Sequence, residues 1–203
     1  MYIPSFNKFT DKQQVLAFMQ RYSFGTIITA ENNLPFASHL PFLVDQKDDQ
    51  LIISSHFAKA NPHSLAIADA EILVIFTEPH AYISPKNYEK LANVPTWNYI
   101  AVHAYGKARV MQTEQEHTTL LERTIKYYEA DYFKQWQDLR AEFKSKMIKG
   151  ITGFEITVTN LEAKSKLSQN RSEVEQHNVI DSLSKSTDTN ERDIAAYMAA
   201  NKK

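Results

Sequence analysis

The chain of 203 residues contains no cysteine. That excludes a disulfide framework, a thiol nucleophile and a thiolate metal site, and it fits a reducing, cytoplasmic location. Glycine is scarce, at 4 residues, and none falls in a G-x-G-x-x-G or P-loop pattern, which excludes those two ways of holding a nucleotide phosphate. Neither sign of charge is in excess, since 23 Lys and Arg face 24 Asp and Glu for a net charge of −1. Nucleic acid or an anionic membrane would have to be met by a local basic patch. Long apolar runs are missing too. The most apolar one, Ile72-Leu73-Val74-Ile75-Phe76, is far short of the roughly 20 residues of a membrane helix and reads as a buried strand, so no membrane contact is expected. The opening Met1 to Lys8 lacks the basic-then-apolar pattern of a secretory signal.

What is there is enough for one core with appendages, the chain being 43% hydrophobic. Thr10-Asp11-Lys12-Gln13 reads as a capping box opening a helix with Val15, Leu16 and Met19 on one side. Phe24 to Ala30, the turn Glu31-Asn32-Asn33, and the alternating Leu34, Phe36, Leu40, Phe42 and Val44 read as a hairpin, and Leu51 to Ser55 follows as a third antiparallel strand. Asn61-Pro62 reads as the start of a short helix over 63–68, with Asn61 as cap. Glu71 to Thr77 is a further strand, Tyr82 to Thr96 a connection, and Trp97 to Val110 a long strand. On that strand Ile100, Val102, Ala104, Ala108 and Val110 share one face, while Tyr99, His103, Tyr105, Lys107 and Arg109 share the other. A polar, aromatic face of this kind suits a ligand or a partner subunit. From Thr113 the period becomes helical, with Leu120, Leu121, Thr124, Ile125 and Tyr128 on one helix. Phe133, Trp136, Arg140, Phe143 and Met147 mark a second, with Asp131 placed to cap it. Phe154, Ile156 and Val158 begin a last strand that runs extended through Leu161 to Leu167 and closes the sheet. From Arg171 the chain turns Ser-, Asn- and charge-rich, with an amphipathic stretch at Ile194, Ala195, Tyr197 and Met198 that reads as loosely attached helices or a docking tail.

Four segments carry chemistry. Ser54-Ser55-His56-Phe57-Ala58-Lys59-Ala60-Asn61-Pro62 joins a strand to a helix. A phosphate monoester needs hydroxyl donors, a cation and free backbone N–H groups, and such a junction supplies all three; equally, the serines and Asn61 can be spent on turn and cap bonds. Glu78 to Pro85 and Val94 to Gly106 set aromatic surface beside amide, hydroxyl and imidazole groups, as a flavin ring system or an ordinary half-buried strand face requires. Lys164 to Arg171 combines cations with amides just after the last strand.

Taken in this order, Met1-Tyr2-Ile3-Pro4, Ser38-His39-Leu40-Pro41, His56 with Lys59-Ala60-Asn61-Pro62, Pro79 to Pro85, Val94-Pro95-Thr96-Trp97-Asn98-Tyr99 with Val102-His103, and Lys166-Leu167-Ser168-Gln169-Asn170-Arg171 resemble the PaiB-type FMN-binding negative transcriptional regulators. The resemblance spans the N-terminus to Arg171. It implies an α+β chain, mainly β with helices: a split β-barrel of the pyridoxamine-phosphate-oxidase-like FMN-binding type, with a helical pair (113–149) inserted before the last strand and a helical C-terminal tail. The expected division is a barrel domain over 1–170 and a tail over 171–203. The resemblance further implies a homodimer with FMN in a groove between subunits. Ser54, Ser55, His56, Lys59 and Asn61 would then serve the phosphate, His39 would run beside the ring, and Trp97, Asn98, His103, Lys166, Gln169 and Arg171 would complete the groove, some from the partner. Two departures matter: Lys59 stands where the family often has Arg, a point charge in place of a bidentate fork, and Glu78 stands where Gly is common.

Three further expectations complete the account. His39, His56, His63, His80 and His103 form no compact ligand motif, and no metal site is expected, although some related split barrels bind haem. The functional expectation is an FMN-binding regulator of transcription or a redox sensor; the alternative is an oxidoreductase passing electrons from a reduced nicotinamide to a small acceptor. No acid, base or nucleophile stands out as catalytic. DNA contact has thin support: Lys134, Arg140, Lys144, Lys146 and Lys149 on one expected helix, with no helix-turn-helix.

Overall fold

A computed structural model describes residues 1–68 and 70–201; Asp69 and the last two residues of the expected tail lie outside the described residues. The strands are β1 (Phe24–Glu31), β2 (Leu34–Pro41), β3 (Leu43–Lys47), β4 (Gln50–Ala58), β5 (Glu71–Phe76), β6 (His80–Ile83), β7 (Thr96–Val110) and β8 (Ile151–Lys166). The helices are α1 (Lys12–Arg21), α2 (His63–Ala66), α3 (Glu114–Tyr128), α4 (Tyr132–Asp138), α5 (Ala141–Lys149), α6 (Glu173–Ser184) and α7 (Thr189–Ala200). The chain divides into two compact units. One comprises Met1–Val15, Phe76–His103 and Glu162–Lys203, the other Leu16–Ile75 and Ala104–Leu161.

The second unit holds the larger part of the sheet, in the order β2-β1-β5-β7-β8-β4-β3. β1 and β2 pair from Phe24↔Pro41 to Glu31↔Leu34, and the hairpin closes on Asn32 and Asn33, both at positive φ, the backbone that a two-residue hairpin turn demands and that Asn tolerates. β3 and β4 form the second hairpin, and β4 pairs along β8 from Ile52↔Thr157 to Ala58↔Ile151. The stretch read as one alternating strand from Leu34 to Val44 is therefore two. Pro41 has no N–H to carry the ladder onward. Phe42 turns away, bonding its N–H to the Ser23 carbonyl at 2.8 Å and burying its ring completely. That one residue carries the chain from β2 at one end of the strand order to β3 at the other, and the sheet is not closed into a barrel by pairing of its edges. Phe18, Ile27, Ile53, Phe57 and Phe154 fill the core.

The insertion between β7 and β8 contains three helices where two were expected. Leu139 and Arg140 are extended, with ψ of 145° and 139°, and separate α4 from α5; a two-residue break that leaves the phase of the apolar stripe intact is invisible to a periodicity count. Lys144 Nζ donates to the Gln137 carbonyl at 3.1 Å near the end of α4, as a basic side chain does at a helix C-terminus. Asp131 takes the N-cap position of α4 without a side-chain cap bond. The capping box falls at α3: Thr113 Oγ1 accepts from Glu116 N, and the Glu116 carboxylate accepts from Thr113 N. Arg109 on β7 donates to Glu116 at 2.6 Å and to Glu155 of β8 at 2.9 Å, tying helix to sheet. At α1 the cap is Asp11, not Thr10. Asp11 Oδ1 accepts from the N–H groups of Gln13 and Gln14, a carboxylate being favoured over a hydroxyl at the positive end of a helix.

In the first unit, β6 pairs with the opening of β7 from His80↔Tyr99 to Ile83↔Thr96. It lies in what was expected to be part of a connection; four residues are too few for alternation to announce a strand. The N-terminal segment runs along β8 through a bridge of Lys8 with Lys164 and a bond from Phe9 N to the Ala163 carbonyl. The tail helices are packed, not loose. Val179 and Leu183 of α6, and Ile194, Ala195 and Met198 of α7, are buried, and α7 lies against both α6 and β6. Each pair of residues four apart forms one apolar stripe, and each stripe is covered.

Candidate functional site

The strand-to-helix junction of the second unit distributes its residues by the pleat. Successive strand residues point to opposite faces, so Ser54 and His56 share one face of β4 while Ser55 and Phe57 share the other. Ser54 stands opposite Leu43, which clusters with Met111 and with Leu120 of α3; the Ser54 hydroxyl is buried and has no hydrogen-bond partner among the described residues. His56 stands opposite Gly153, the glycine whose missing Cβ leaves room for Met111, Leu120 and His117. Burial, and then the neighbouring His117, push the His56 imidazole below its ordinary pKa. Ser55 donates to the Pro41 carbonyl at 2.6 Å.

Past the strand end, Lys59 is exposed. Its ammonium has no bonded partner among the described residues, while its backbone N–H is held by the Gly150 carbonyl. Asn61 Oδ1 accepts from His63 N at 3.0 Å, although the N-cap position of α2 falls to Pro62 and not, as expected, to Asn61, and Asn61 Nδ2 lies 3.5 Å from Ser38 Oγ. Ser38 in turn meets His63 Nδ1 at 2.9 Å, and Thr29 Oγ1 meets His63 Nε2 at 3.1 Å. The His63 ring is fully buried beside Phe36 and Phe57, and burial lowers its pKa. His39, the neighbour of Ser38 on β2, points to the opposite face and bonds Thr26 Oγ1 at 2.9 Å. The junction thus brings Asn61, Ser38 and His63 together and leaves Lys59 open. It does not bring Ser54, Ser55, His56 and His39 to one point.

In the first unit, Trp97 is 52% exposed, with His80 and Tyr82 of β6 each 5.9 Å from its ring. This is an open aromatic platform. Asn98 is fully buried, donating to Ser168 Oγ at 2.9 Å and accepting from it at 3.2 Å, so that it pins Ser168 at its positive φ. Gln169 is likewise spent: Nε2 donates to the Ser165 carbonyl at 2.5 Å and Oε1 accepts from Leu167 N at 2.7 Å. Arg171 donates to Asn93 at 2.9 Å and lies 3.9 Å over the Tyr88 ring, with Glu175 at 3.8 Å. His103 is half-buried, its pKa lowered by burial and by the N-terminal amino group, against the opposing pull of Glu162. Lys166 bonds Thr96 Oγ1. Burial lowers its pKa, with the Lys164 and Arg171 charges acting the same way and Tyr99 opposing.

Lys164 opens the segment singled out in the sequence for its cations, but no role was assigned to it there. It is buried, with its ammonium 5.1 Å from the Tyr99 ring and bonded to the Tyr2 carbonyl at 3.2 Å. The signal was the Lys-x-Lys spacing, which puts Lys164 and Lys166 on one face of β8. The bonds of His63 to Thr29 and Ser38 were not foreseen, because a buried histidine between two hydroxyls has no local motif. Among the described residues no three His, Asp or Glu side chains are grouped to hold a metal ion, and no helix is long and apolar enough to cross a membrane. Lys134, Arg140, Lys144, Lys146 and Lys149, expected on one helix, are divided between α4, the Leu139–Arg140 break and α5.

The residues past β4 suit a phosphate: an uncommitted ammonium at Lys59 and an amide at Asn61 whose bond to Ser38 is at the limit of length. The fold, a mixed α/β chain whose antiparallel sheet is not closed on itself, is that of the split-barrel class. Two solved structures share the fold: the flavocytochrome Anf3 from Azotobacter vinelandii, with a TM-score of 0.61 at 15% identity over 76% of this chain and 67% of that one, and the FAD and heme binding protein from Mycobacterium smegmatis, with a TM-score of 0.61 at 16% identity over 79% and 73%. Residues 1–160 match the family described as "Putative FMN-binding domain". The chain belongs to this FMN-binding family, and FMN is the cofactor that membership gives it. Its relatives include the protein named protease synthase and sporulation protein PAI 2 of Bacillus subtilis, 41% identical over 202 residues, 98% of this chain and 96% of that protein. An uncharacterized protein of Emericella nidulans is 31% identical over 71% of this chain and 73% of its own.

Proposed function

We propose that this chain is a homodimeric FMN-binding protein with a regulatory role, acting as a negative regulator of transcription or as a redox sensor in the cytoplasm. The observation that carries this reading is the 41% identity, over nearly the whole of both chains, to a protein named for protease synthesis and sporulation. Lys59 and Asn61 take the FMN phosphate, with Ser54, Ser55 and His56 forming the strand that positions them and His39 on the neighbouring β2. Trp97, His103 and Lys166 face the flavin across the dimer, on a frame built by Asn98, Gln169 and Arg171. When bound, FMN supplies hydride and single-electron chemistry. The chain itself supplies a cation for the phosphate, an aromatic surface, and at Lys166 a charge held in a partly desolvated position beside Tyr99, where its field acts with less screening than in water.

The visible spectrum of the purified protein is the first test. Flavin bands near one FMN per chain, in a species sedimenting as a dimer, support the reading; a colourless monomer that also fails to take up added FMN overturns it. Regulation and electron transfer then separate cleanly. A holoprotein that stays oxidised with NADH and NADPH, and that shifts promoter DNA in a salt-dependent manner, is a regulator. Rapid bleaching of the flavin by either donor supports the oxidoreductase alternative instead.

A further inference from the structure

The first unit contains a cavity of about 360 Å³ that none of the flavin-directed side chains claims through a free polar group. Its floor is Ile100 and Leu167, both almost completely buried. Its walls are aromatic: Phe6, Phe9 and Tyr197. Phe6 is 53% exposed, an uncovered ring at the mouth of a concave site and a source of free energy for any apolar ligand that covers it. Ala200 and Asn201, at the end of α7, complete the rim.

Of the polar side chains on the wall, Asp11, Gln14 and Gln169 are bonded within the protein. Asp11 caps α1 through Oδ1, and its Oδ2 accepts from Gln14 Nε2 at 3.0 Å, so both carboxylate oxygens and the Gln14 amide are engaged. Gln169 is held at both ends by the turn it stabilises. Lys8 differs. Its backbone is fixed by the bridge to Lys164, yet its exposed ammonium has no bonded partner among the described residues. The cavity therefore sets the apolar surface of Phe6, Phe9, Tyr197, Ile100 and Leu167 beside the polar groups of Thr10, Ser165 and Asn201, and the Lys8 ammonium is the lining charge that has no bonded partner among the described residues. Ser165 lines it from one face of β8 and Leu167 from just past the strand's end, and the pleat sends Lys164 and Lys166 to the other face, so occupancy of this slot does not compete with those two cations for a flavin.

From this arrangement we infer that the cavity is a second ligand site, for a small aromatic carboxylate: ring between Phe6, Phe9 and Tyr197 over Leu167, acid group on Lys8. A volume of this size lies at the lower end of the range for small-molecule pockets, which suits a one- or two-ring acid.

Indole-3-acetate is the probe, titrated into the FMN-loaded protein by calorimetry with saturation-transfer NMR as the second readout. Saturable one-to-one binding is expected, weakened about tenfold by Lys8→Gln and to a similar extent when indole replaces the acid, as loss of one charge-assisted bond requires. Ala200→Trp, which fills the slot from an exposed position on α7, abolishes binding. Both variants alter exposed side chains and retain the wild-type melting temperature and FMN content, which separates this site from the flavin site. Absence of saturable binding at millimolar probe overturns the proposal, as does binding that Ala200→Trp leaves unchanged. Binding lost in Ala200→Trp but equal for acid and indole, and for Lys8 and Gln, overturns the carboxylate assignment.

Discussion

Gly106→Ala is the sharpest structural test of how β7 and β8 meet. A Cβ at Gly106 would lie 2.2 Å from the carbonyl oxygen of Thr157 and 2.9 Å from Ile156 Cγ2. Ordinary contact begins near 3.4 Å, so the two backbones must part by about 1 Å, against a normal strand separation of about 4.8 Å. Main-chain atoms cannot rotate away as a side chain can. The shift lengthens the adjacent ladder bonds, and losing two of them at about 1 kcal/mol each, with strain in a packed core of about 1–3 kcal/mol, gives a destabilisation of about 3–5 kcal/mol. The smaller unfolded-state entropy of Ala returns only about 0.4–1 kcal/mol. The net loss of about 2–4.6 kcal/mol predicts, for a chain of this size, a melting temperature lower by about 4–18 °C. Thermal unfolding followed by far-ultraviolet circular dichroism, paired with urea midpoints, measures it. Gly153→Ala is the control: its Cβ would meet only side-chain atoms of Met111, Leu120 and His117 at 2.8–3.2 Å, which can adjust, and a loss of about 1 kcal/mol is expected. A Gly106→Ala protein as stable as wild type, or less perturbed than Gly153→Ala, would refute the close approach of the two strands.

Replacing Lys59 by Gln should weaken FMN binding about tenfold or more by removing a charge-assisted contact to the phosphate, with no change in urea midpoint; unchanged affinity in a fluorescence-quenching titration would move the phosphate elsewhere. Asn98→Ala leaves the buried Ser168 hydroxyl without both of its bonds and should cost about 2–3 kcal/mol, read from chemical denaturation. Acid should destabilise the fold before its carboxylates titrate. His56 and His63 have folded-state pKa values below the ordinary 6.5 because burial disfavours the imidazolium, so as the pH falls below about 6.5 the unfolded chain takes up protons that the folded one does not, and stability drops. Glu116, held down at about 2 first by Arg109 and then by the Gln112 and Thr113 N–H groups, stays charged in the folded chain throughout that window. A urea midpoint that is flat or rises between about pH 7 and pH 5.5 would contradict this assignment.

Much of the fold was legible because its determinants are local. The Asn32-Asn33 turn, the alternation along Trp97 to Val110 and the helical period after Thr113 each follow from residue chemistry within a short window. What escaped is where one residue decides a long-range step. Phe42 continues the alternation of Leu40 and Val44, so nothing in the pattern says that Pro41 ends one ladder and that the next strand joins the far side of the sheet. The α4–α5 break escaped for a related reason, since Leu139 and Arg140 keep the stripe in phase while leaving helical geometry.

The candidate site shows the same division with more consequence. Ser54-Ser55-His56 reads as a cluster because its members are adjacent in sequence, but adjacency on a strand means divergence in space. One hydroxyl is buried without a partner among the described residues; the next is spent on Pro41. Convergence begins only where the strand ends: Lys59 leaves the pleat, and Asn61 turns back to meet Ser38 across a gap that only the β2 register sets. A phosphate arriving at this junction therefore meets one flexible ammonium and one amide, not a ring of serines. That has a measurable consequence. Lys59→Arg, which restores a planar fork at the one position where the cation is free, should tighten FMN binding by severalfold, whereas Ser55→Ala should leave FMN affinity near wild type and lower stability instead, by about 1 kcal/mol for the lost bond to Pro41. If Ser55→Ala abolished FMN uptake in a protein that melts normally, the phosphate would lie on the inner face of β4, and the open end of the junction would not be its site.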